Sequence, residues 1–191
     1  MRLGVFGGTF DPPHIGHLLA AVDAFEALSL NVLVLVPAAV QPLKADIQAA
    51  PAHHRLAMVR LLVGSDERFT VDATEMERVG LSYTVDTLES FARRFPTAER
   101  FLLVGEDAMT AFGSWREPRR IQELARVAFL RRAVAAGERR PELPDGTIAL
   151  PTRLVDVSST EIRERVRCGK SLRGFVPESV AAYIETERLY R

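Results

Sequence analysis

The sequence predicts an α/β fold, in which a doubly wound, mostly parallel sheet carries helices on both faces. Two observations predict it. Short apolar runs typical of strands alternate along the chain with segments whose apolar residues recur at helical spacing. The expected strand at 31–36 is apolar after its first residue, as in a strand covered on both faces. This alternation implies right-handed crossovers and hence a doubly wound sheet.

The composition narrows the class of protein. The 191 residues suit a single domain over 1–191, with a small helical portion from about 158 to 191. Twenty-five basic and twenty-five acidic side chains give no net charge, so no global charge recruits nucleic acid or a membrane surface. The lone Cys168 excludes an internal disulfide, and no cleavable apolar segment precedes the first strand. The longest apolar run, 32–40, is too short to span a bilayer, so we expect a cytoplasmic protein.

The first half of the chain predicts three strands and three helices. The strands are expected at 3–6, 31–36 and 68–72, and the helices from the first turn to about 28, at 52–63 and from about 84. Gly64 is placed to close the second helix. In the third helix Val85, Leu88 and Phe91 form an apolar stripe, and Pro96 stops it. The order is therefore strand, helix, strand, helix, strand, helix.

The second half continues the alternation. Strands are expected at 100–104, 127–130 and 153–157, and helices at 121–125, from 158 to about 169 and from 177. Ser158 and Glu161 have the spacing of a capping box at a helix start, and Gly169 can close that helix. Pro177 is a favourable first residue for the last helix. Residues 135–146 are interpreted as a solvated loop.

Residues 7–17 predict a nucleotide phosphate site between the first strand and the first helix. Gly7 and Gly8 let backbone N–H groups approach a polyanion without interference from a Cβ. The helix that follows adds the partial positive charge of its N-terminus. His14 and His17 stand three residues apart, which puts both imidazoles on one face of a first helical turn. The pattern is neither a Walker A loop nor the dinucleotide fingerprint.

A second anion site is predicted where the helix at 158 begins. Ser158, Ser159 and Thr160 offer hydroxyls and backbone N–H groups, and Arg163 follows one turn later. This segment, the glycine turn, Lys44 and residues 105–107 all follow predicted strands. In doubly wound sheets ligands bind beyond the carboxyl ends of the strands. We therefore expect these segments to converge on one crevice.

Residues 7–17 resemble the G-G-T-F-D-P-x-H-x-G-H motif of nicotinate mononucleotide adenylyltransferases, a branch of the nucleotidylyltransferase superfamily. The resemblance implies a single domain of the Rossmann-like nucleotidylyltransferase fold. It also implies adenylyl transfer from ATP to nicotinate mononucleotide, which gives deamido-NAD and pyrophosphate in NAD synthesis. The mononucleotide phosphate would attack in line, without a covalent enzyme intermediate. Mg²⁺ would be required and bound mainly through the ATP phosphates, and neither nucleic acid nor membrane would be a partner.

The resemblance also assigns roles to residues. His14, His17, Lys44 and Arg163 would be catalytic. The phosphates of ATP would be bound by Gly7, Gly8, Thr9, Phe10, Gly16, Ser158, Ser159 and Thr160. The last three belong to a segment that is similar to the family's S-S-T-x-I-R motif. Lys44 departs from the family pattern in its neighbour, because Leu43 stands where a histidine is usual.

The mononucleotide would be bound by a separate set of residues. Residues 80–88 are similar to the family's S-Y-T-x-D-T-L segment, which implies that Ser82, Tyr83 and Thr84 hold the pyridine carboxylate. The remaining members would be Gly105, Asp107 on a ribose, Trp115 stacked on the pyridine, and Arg132. Arg131 competes with Arg132 for the place of a family arginine, and Glu106 replaces a usually small residue.

Several alternatives stay open on the sequence. His14 and His17 could join His53 and His54 in a zinc site, although no cysteine pair or H-E-x-x-H pattern supports one. Lys44 could be a solvated loop residue and Trp115 a core residue. The protein could be a nucleotidylyltransferase with another acceptor, a fragment of an aminoacyl-tRNA synthetase, or a non-catalytic nucleotide sensor. The oligomeric state is undetermined.

Overall fold

A computed structural model describes residues 1–39, 49–78, 80–131, 143–153 and 155–191, except the side chains of Asp107 and Arg131. The described residues form six strands and seven α-helices. The strands are β1 (Arg2–Gly8), β2 (Val32–Pro37), β3 (Phe69–Val71), β4 (Glu99–Gly105), β5 (Arg126–Arg131) and β6 (Ile148–Pro151). The helices are α1 (Ile15–Ala27), α2 (Ala52–Val63), α3 (Thr84–Arg94), α4 (Glu106–Thr110), α5 (Pro118–Leu124), α6 (Ser159–Arg167) and α7 (Glu178–Thr186).

All six strands are parallel and lie in the order β3-β2-β1-β4-β5-β6. Val5 of β1 lies opposite Val34 of β2 on one side and Leu102 of β4 on the other. From β1 the chain adds β2 and β3 on one side of the sheet. It then returns to the other side of β1, where it adds β4, β5 and β6. The switch point between β1 and β4 opens a crevice at their carboxyl ends. The predicted doubly wound parallel sheet is confirmed.

Two hydrophobic cores lie on opposite faces of the sheet. Side chains alternate between them along each strand, so that Leu103 of β4 belongs to one core and Leu102 to the other. The first core contains residues of α1, α2, α6 and α7, among them Met58 and Ile162. The second contains residues of α3 and α5, among them Leu88. The predicted placement of helices on both faces is therefore confirmed.

The predicted last strand, Arg153 to Val157, is wrong. The strand is β6, which begins at Ile148 and pairs with β5. Its Leu150 is buried in the first core, and Pro151 ends the ladder because proline has no N–H to donate. The N–H of Arg153 instead donates to Oδ2 of Asp23, at 2.9 Å. Residues 148–151 and 153–157 are both short apolar runs. The structure pairs the first of them with β5, and this pairing cannot be deduced from the sequence.

The segment from 158 onward shares the first core with the sheet. Val180 and Ile184 of α7 are buried there together with Ile162 of α6. The division of this segment from the rest of the domain stays a prediction. No helix in the described part of the chain has the length and apolar character needed to cross a bilayer.

Candidate active site

Two cavities adjoin at the carboxyl ends of β1 and β4. The larger has a volume of about 750 Å³ and the smaller of about 150 Å³. They share four lining residues, Gly7, Gly8, Gly105 and Ala108. A Cβ added to Gly7 or Gly105 would meet no heavy atom within 4 Å, so bare backbone faces the junction. Ligands in the two cavities would therefore approach each other over the ends of the two central strands.

Phe10 packs against Gly8 and His17 in the turn between β1 and α1. It is buried and adopts a left-handed conformation with φ of 50°, which is uncommon for an aromatic residue. Its ring packs edge-on against His17, with 5.0 Å between centroids, and lies 3.1 Å from where a Cβ of Gly8 would stand. Phe10 lines the larger cavity but acts mainly as packing for the neighbouring imidazole.

His14 and His17 are brought together at the start of α1. His14 is the N-cap residue, and the two rings lie with centroids 3.8 Å apart. The backbone N–H of His14 donates to Nδ1 of His17 at 3.2 Å. Since Nδ1 accepts this bond, a neutral His17 carries its proton on Nε2. Both histidines line the larger cavity.

Gly16 fits beneath the first imidazole. A Cβ at this position would lie 3.0 Å from Cε1 and Nδ1 of His14. This distance is tighter than nine in ten real Cβ contacts, so the imidazole would have to move by a few tenths of an ångström. Gly16 therefore has a packing role in addition to lining the larger cavity.

The start of α6 is tied to the glycine turn. Ser158 caps the helix, because its Oγ accepts from the N–H of Glu161 at 3.1 Å. The hydroxyl of Ser159 donates to the carbonyl of Pro12 at 2.8 Å, so this hydroxyl can only accept from a further partner. Ser158, Ser159, Thr160 and Arg163 all line the larger cavity. The two predicted anion sites are therefore walls of one cavity.

Arg163 is held by two oxygens from different segments. Its Nη1 donates to the carbonyl of Asp11 at 2.7 Å and its Nη2 to Oγ1 of Thr160 at 3.1 Å. A guanidinium has five N–H donors. Two of them are used in hydrogen bonds to residues that the structure describes. Nη1 also lies 3.8 Å from Oδ2 of Asp11. The guanidinium is thus fixed at the cavity wall with donors remaining for an anion.

The carboxylate of Asp11 is buried and contacted from three segments. Its Oδ1 accepts from the hydroxyl of Tyr190 at 2.7 Å and from the N–H of Ala50 at 3.1 Å. Its Oδ2 faces Arg163. Burial and the nearby charge of Asp11 raise the pKa of Tyr190, so its hydroxyl remains a donor at neutral pH.

Arg55 joins the loops that border the larger cavity. Only 2 % of its surface is exposed, and it projects from α2. It donates to the backbone carbonyls of Thr9, Ala38, Ala39 and Ala50, at distances between 2.6 and 2.9 Å. Burial lowers the pKa of this guanidinium, an effect that the charge of Asp11 opposes. The carbonyls replace water as acceptors for a cation that stays charged.

The smaller cavity is lined by the start of α3. Tyr83 is the N-cap residue and makes no side-chain cap, so the first N–H groups of the helix are not satisfied in that way. The hydroxyl of Ser82 accepts from the N–H of Ala39 at 2.9 Å. Trp115 lines the same cavity and packs against Phe112, with 5.2 Å between centroids. The cavity thus combines an aromatic wall with a positively polarised helix terminus.

Glu75 is a buried acid at this cavity. Its Oε1 accepts from the hydroxyl of Thr87 at 2.6 Å. Burial raises the pKa of its carboxyl, and hydrogen bonds from Thr87 and Ser82 and the charge of Arg78 oppose that rise. Burial therefore disfavours the ionised form of this carboxyl relative to that of an exposed glutamate.

The described residues contain no group of three or more histidine, cysteine, aspartate or glutamate side chains that could hold a metal ion. His53 and His54 pack on each other on α2, with 4.1 Å between centroids. Nδ1 of His54 is 2.9 Å from the hydroxyl of Tyr183. The zinc alternative therefore has no support in this part of the chain. Mg²⁺ retains several waters and is commonly held through substrate phosphates. It therefore does not need a cluster of metal-binding side chains among the described residues.

Comparison with known proteins decides the family. The family model described as cytidylyltransferase-like matches residues 5–165. A protein of Gemmatimonas aurantiaca named probable nicotinate-nucleotide adenylyltransferase is 52% identical, over 100% of this chain and 93% of the relative. A protein of Thermus thermophilus with the same name is 45% identical over the full length of both chains. The chain belongs to the nicotinate-nucleotide adenylyltransferase family.

Solved structures agree with the fold of this family. A putative nicotinate-nucleotide adenylyltransferase from Vibrio parahaemolyticus superposes with a TM-score of 0.72 at 21% identity, covering 100% of this chain and 96% of the other. The Plasmodium falciparum nicotinic acid mononucleotide adenylyltransferase complexed with NaAD gives 0.74 at 17% identity, covering 99% and 97%. At these identities the comparison shows the fold, which is that of Rossmann-like nucleotidylyltransferases.

Membership in this adenylyltransferase family makes the protein a nucleotidyltransferase. It removes the alternatives of an aminoacyl-tRNA synthetase fragment and of a non-catalytic sensor. The acceptor substrate is a separate question, which the roles of individual residues must answer.

The structure brings most of the predicted site residues together. The larger cavity is lined by Gly7, Gly8, Thr9, Phe10, His14, Gly16, His17, Ser158, Ser159, Thr160 and Arg163. The smaller cavity is lined by Ser82, Tyr83, Thr84, Gly105 and Trp115. Lys44 and Arg132 lie outside the described residues, as does Leu43, and the side chain of Asp107 is not described. Glu106, the unexplained departure from the family pattern, lines the larger cavity.

Sequence reasoning missed four residues that shape the site, namely Asp11, Arg55, Glu75 and Tyr190. Arg55 carried a signal, because it falls on the buried stripe of α2 with Met58, Val59 and Leu62. A charged residue on such a stripe requires internal partners. Asp11 lies inside the recognised motif, but its two distant partners do not show in the sequence.

Proposed function

We propose that this protein transfers the adenylyl group of ATP to nicotinate mononucleotide, giving deamido-NAD and pyrophosphate. One observation carries the proposal: the two adjoining cavities share Gly7, Gly8 and Gly105, and a Cβ at Gly7 or Gly105 would meet no heavy atom within 4 Å. A reaction that joins two phosphates needs two substrates whose phosphates meet at one place. Relatives that match the whole chain bear the name of this activity.

The larger cavity suits ATP. Helix starts at α1 and α6 face it together with the guanidinium of Arg163, and each of these features favours an anion. Guanidinium binds phosphate through charge-assisted hydrogen bonds. The volume of the larger cavity, about 750 Å³, is in the range of pockets that bind small organic ligands. We assign the triphosphate to the wall formed by Ser158, Thr160 and Arg163, and Lys44 to the same role through the family resemblance.

The smaller cavity suits the pyridine ring of the mononucleotide. Its lining is mostly apolar, with Trp115 on one side and the start of α3 on the other. A flat aromatic ring can stack on the indole. A carboxylate on that ring can accept from the N–H groups at the helix start, where the dipole also favours negative charge. The volume of about 150 Å³ leaves the ribose and phosphate to extend towards the shared glycines.

The chemistry is an in-line displacement at the α-phosphorus of ATP. An oxygen of the mononucleotide phosphate forms the new bond, and the bond from the α-phosphorus to the bridging oxygen breaks as pyrophosphate leaves. The attacking phosphate is already anionic, so no general base is required. Catalysis consists of positioning two polyanions and stabilising the charge of the transition state. Mg²⁺, carried by the ATP phosphates, would neutralise part of that charge.

His17 is proposed to act directly on the transition state. Its Nδ1 is occupied by the N–H of His14, which leaves Nε2–H as the donor of the neutral ring. His14 lies against it and lines the same cavity. A hydrogen bond to a phosphate oxygen that gains charge during the reaction is stronger in the transition state than in the ground state, and it therefore accelerates the reaction.

A cytoplasmic location is part of the proposal. The one cysteine of the sequence, Cys168, is exposed and free. A free thiol on the surface suits a reducing compartment.

The test is an assay of pyrophosphate release with a panel of acceptors. Purified protein is given ATP, Mg²⁺ and either nicotinate mononucleotide, nicotinamide mononucleotide or phosphopantetheine, and a reaction without acceptor is the control. We expect release only with a pyridine mononucleotide, fastest with the nicotinate form, and a product with the mass of deamido-NAD. Equal rates with phosphopantetheine, or no release with any acceptor, would overturn the proposal.

A further inference from the structure

The hydroxyl of Tyr190 contacts Asp11, in the turn between β1 and α1, although Tyr190 does not line either cavity. We propose that Tyr190 is a positioning residue for ATP: its hydroxyl holds the Asp11 carboxylate away from Arg163, which keeps that guanidinium available to the triphosphate. The inference rests on the proposed function and deepens it, because it names a residue outside the cavity on which ATP affinity depends.

The two carboxylate oxygens of Asp11 have different partners. Oδ1 receives the hydroxyl of Tyr190 at 2.7 Å and the N–H of Ala50 at 3.1 Å. Oδ2 remains 3.8 Å from Nη1 of Arg163, which is about an ångström longer than a charge-assisted hydrogen bond. Nη1 instead donates to the backbone carbonyl of Asp11 at 2.7 Å. The carboxylate thus stands beside the arginine without closing on it.

This separation matters because carboxylate and phosphate compete for the same donors. Guanidinium binds either group in a bidentate manner. The side chains of Asp11 and Arg163 are only 7% and 21% exposed, so solvent screens their attraction weakly. A carboxylate that turned to close the 3.8 Å gap would occupy donors that the triphosphate needs. The two donors on Oδ1 oppose that turn.

The position of Tyr190 is determined by its own backbone and packing. It follows α7 and has φ of 64°, a left-handed conformation that is uncommon for an aromatic residue. Its ring packs against the first core, where the preceding Leu189 is buried. The hydroxyl of this ring therefore reaches Asp11 from a firm base. Burial, with the charge of Asp11, raises the pKa of Tyr190 and keeps the hydroxyl a donor.

The test is a double-mutant cycle of Tyr190→Phe with Arg163→Ala in the full chain. The probe is an ATP analogue with a methylene group between the α- and β-phosphorus, titrated calorimetrically with Mg²⁺. Tyr190→Phe alone should weaken binding of the analogue about tenfold, which is about 1.4 kcal/mol. In the Arg163→Ala background the same change should have less than a twofold effect, because the arginine through which it acts is gone.

Tyr183→Phe is the matched control. Tyr183 also belongs to the segment after α6, and its hydroxyl lies 2.9 Å from Nδ1 of His54, on α2. Its loss should leave the affinity for the analogue within twofold. In turnover, Tyr190→Phe should raise KM for ATP and leave both kcat and KM for the mononucleotide within about twofold. A change in kcat alone would contradict a positioning role towards ATP.

The outcomes separate this inference from the proposed function. An equal loss of affinity in both backgrounds, or an equal loss in the Tyr183→Phe control, would overturn the role of Tyr190. A wild-type protein that binds the analogue but forms no deamido-NAD would overturn the proposed acceptor and leave the cycle interpretable. A wild-type protein that does not bind the analogue would overturn both.

Discussion

The backbone N–H of His14 donates a hydrogen bond to Nδ1 of His17. The bond assigns the remaining ring proton of a neutral His17 to Nε2, on the far side of the imidazole. If that N–H stabilises the transition state, His17→Ala should lower kcat by about 10²–10³, as loss of one such donor does elsewhere. KM for ATP should change much less. The measurement is steady-state kinetics of pyrophosphate release.

Two further variants identify the nitrogen that acts. Glutamine places an amide N–H near the position of Nε2, whereas asparagine places its amide near Nδ1. We expect His17→Gln to retain more activity than His17→Asn. Near-normal turnover in a folded His17→Ala variant, or the reverse order of the two amides, would rule out the assigned role.

Arg163 is expected to bind the ATP tail rather than the mononucleotide. Loss of a hydrogen bond to a charged group costs about 1.5–3 kcal/mol, so Arg163→Ala should raise KM for ATP by at least tenfold or lower kcat. KM for the mononucleotide should change little. Arg163→Lys keeps the charge but loses the fork geometry, and should fall between wild type and Ala. Unaltered ATP kinetics in the Ala variant would refute the assignment.

The start of α3 is expected to make the enzyme prefer nicotinate over nicotinamide mononucleotide. The helix terminus favours a carboxylate by about 0.3–2 kcal/mol. An amide nitrogen facing N–H groups leaves a buried donor unpaired, which costs roughly 1–3 kcal/mol more. The sum implies at least tenfold in kcat/KM, measured for both mononucleotides at saturating ATP and Mg²⁺. Equal values would show that this segment does not recognise the carboxylate.

Thr84→Pro can test the same recognition at a single backbone atom. Thr84 is the first residue of α3, where proline is tolerated, and Tyr83 before it already has extended backbone angles. The change removes one N–H and preserves the helix. We expect the preference for nicotinate to shrink. Thr84→Ala, which retains the N–H, is the control and should keep the preference.

Glu75 predicts a pH dependence of stability. Burial raises the pKa of its carboxyl above the ordinary value of 4.5. Above that pH the unfolded chain loses the proton before the folded one does, so the free energy of unfolding falls as the pH rises through this window. Glu75→Gln removes the titrating group and should flatten this decline. Urea denaturation at several pH values above 4.5 measures it.

The control for that series is Glu77→Gln, an exposed position in the same segment. Its curve of unfolding free energy against pH should parallel that of the wild type. A Glu75→Gln curve that also parallels the wild type would contradict the prediction.

The sheet was predictable because its central strands are apolar on both sides and leave no other assignment. In β2, for example, Leu33 is buried in the first core and the neighbouring Val34 in the second. The edge strand β6 was not predictable in the same way, because 148–151 and 153–157 are both short and only pairing with β5 distinguishes them. Local patterns therefore identified the four central strands and the other edge strand, β3, but could not choose between these two runs.

Part of the candidate site was predictable from the sequence and part was not. Its walls are contiguous motifs after strands, so residues such as His17 and Arg163 could be placed in one crevice from the sequence. The residues that contact these motifs from outside the cavities come from distant parts of the chain. Tyr190, for example, donates to Asp11, which lies 179 positions earlier. Such a contact depends on how the helices pack. No spacing in the sequence encodes it.

Gly16 changes how the short signature His-x-Gly-His should be read in other chains. A methyl group at this position would lie 3.0 Å from Cε1 and Nδ1 of His14, so the ring would have to shift. The glycine therefore permits the present position of the first histidine. A search pattern that accepts alanine at the third position would also collect chains in which the first imidazole has to lie differently. The glycine therefore belongs in the pattern wherever this position of the first imidazole is sought.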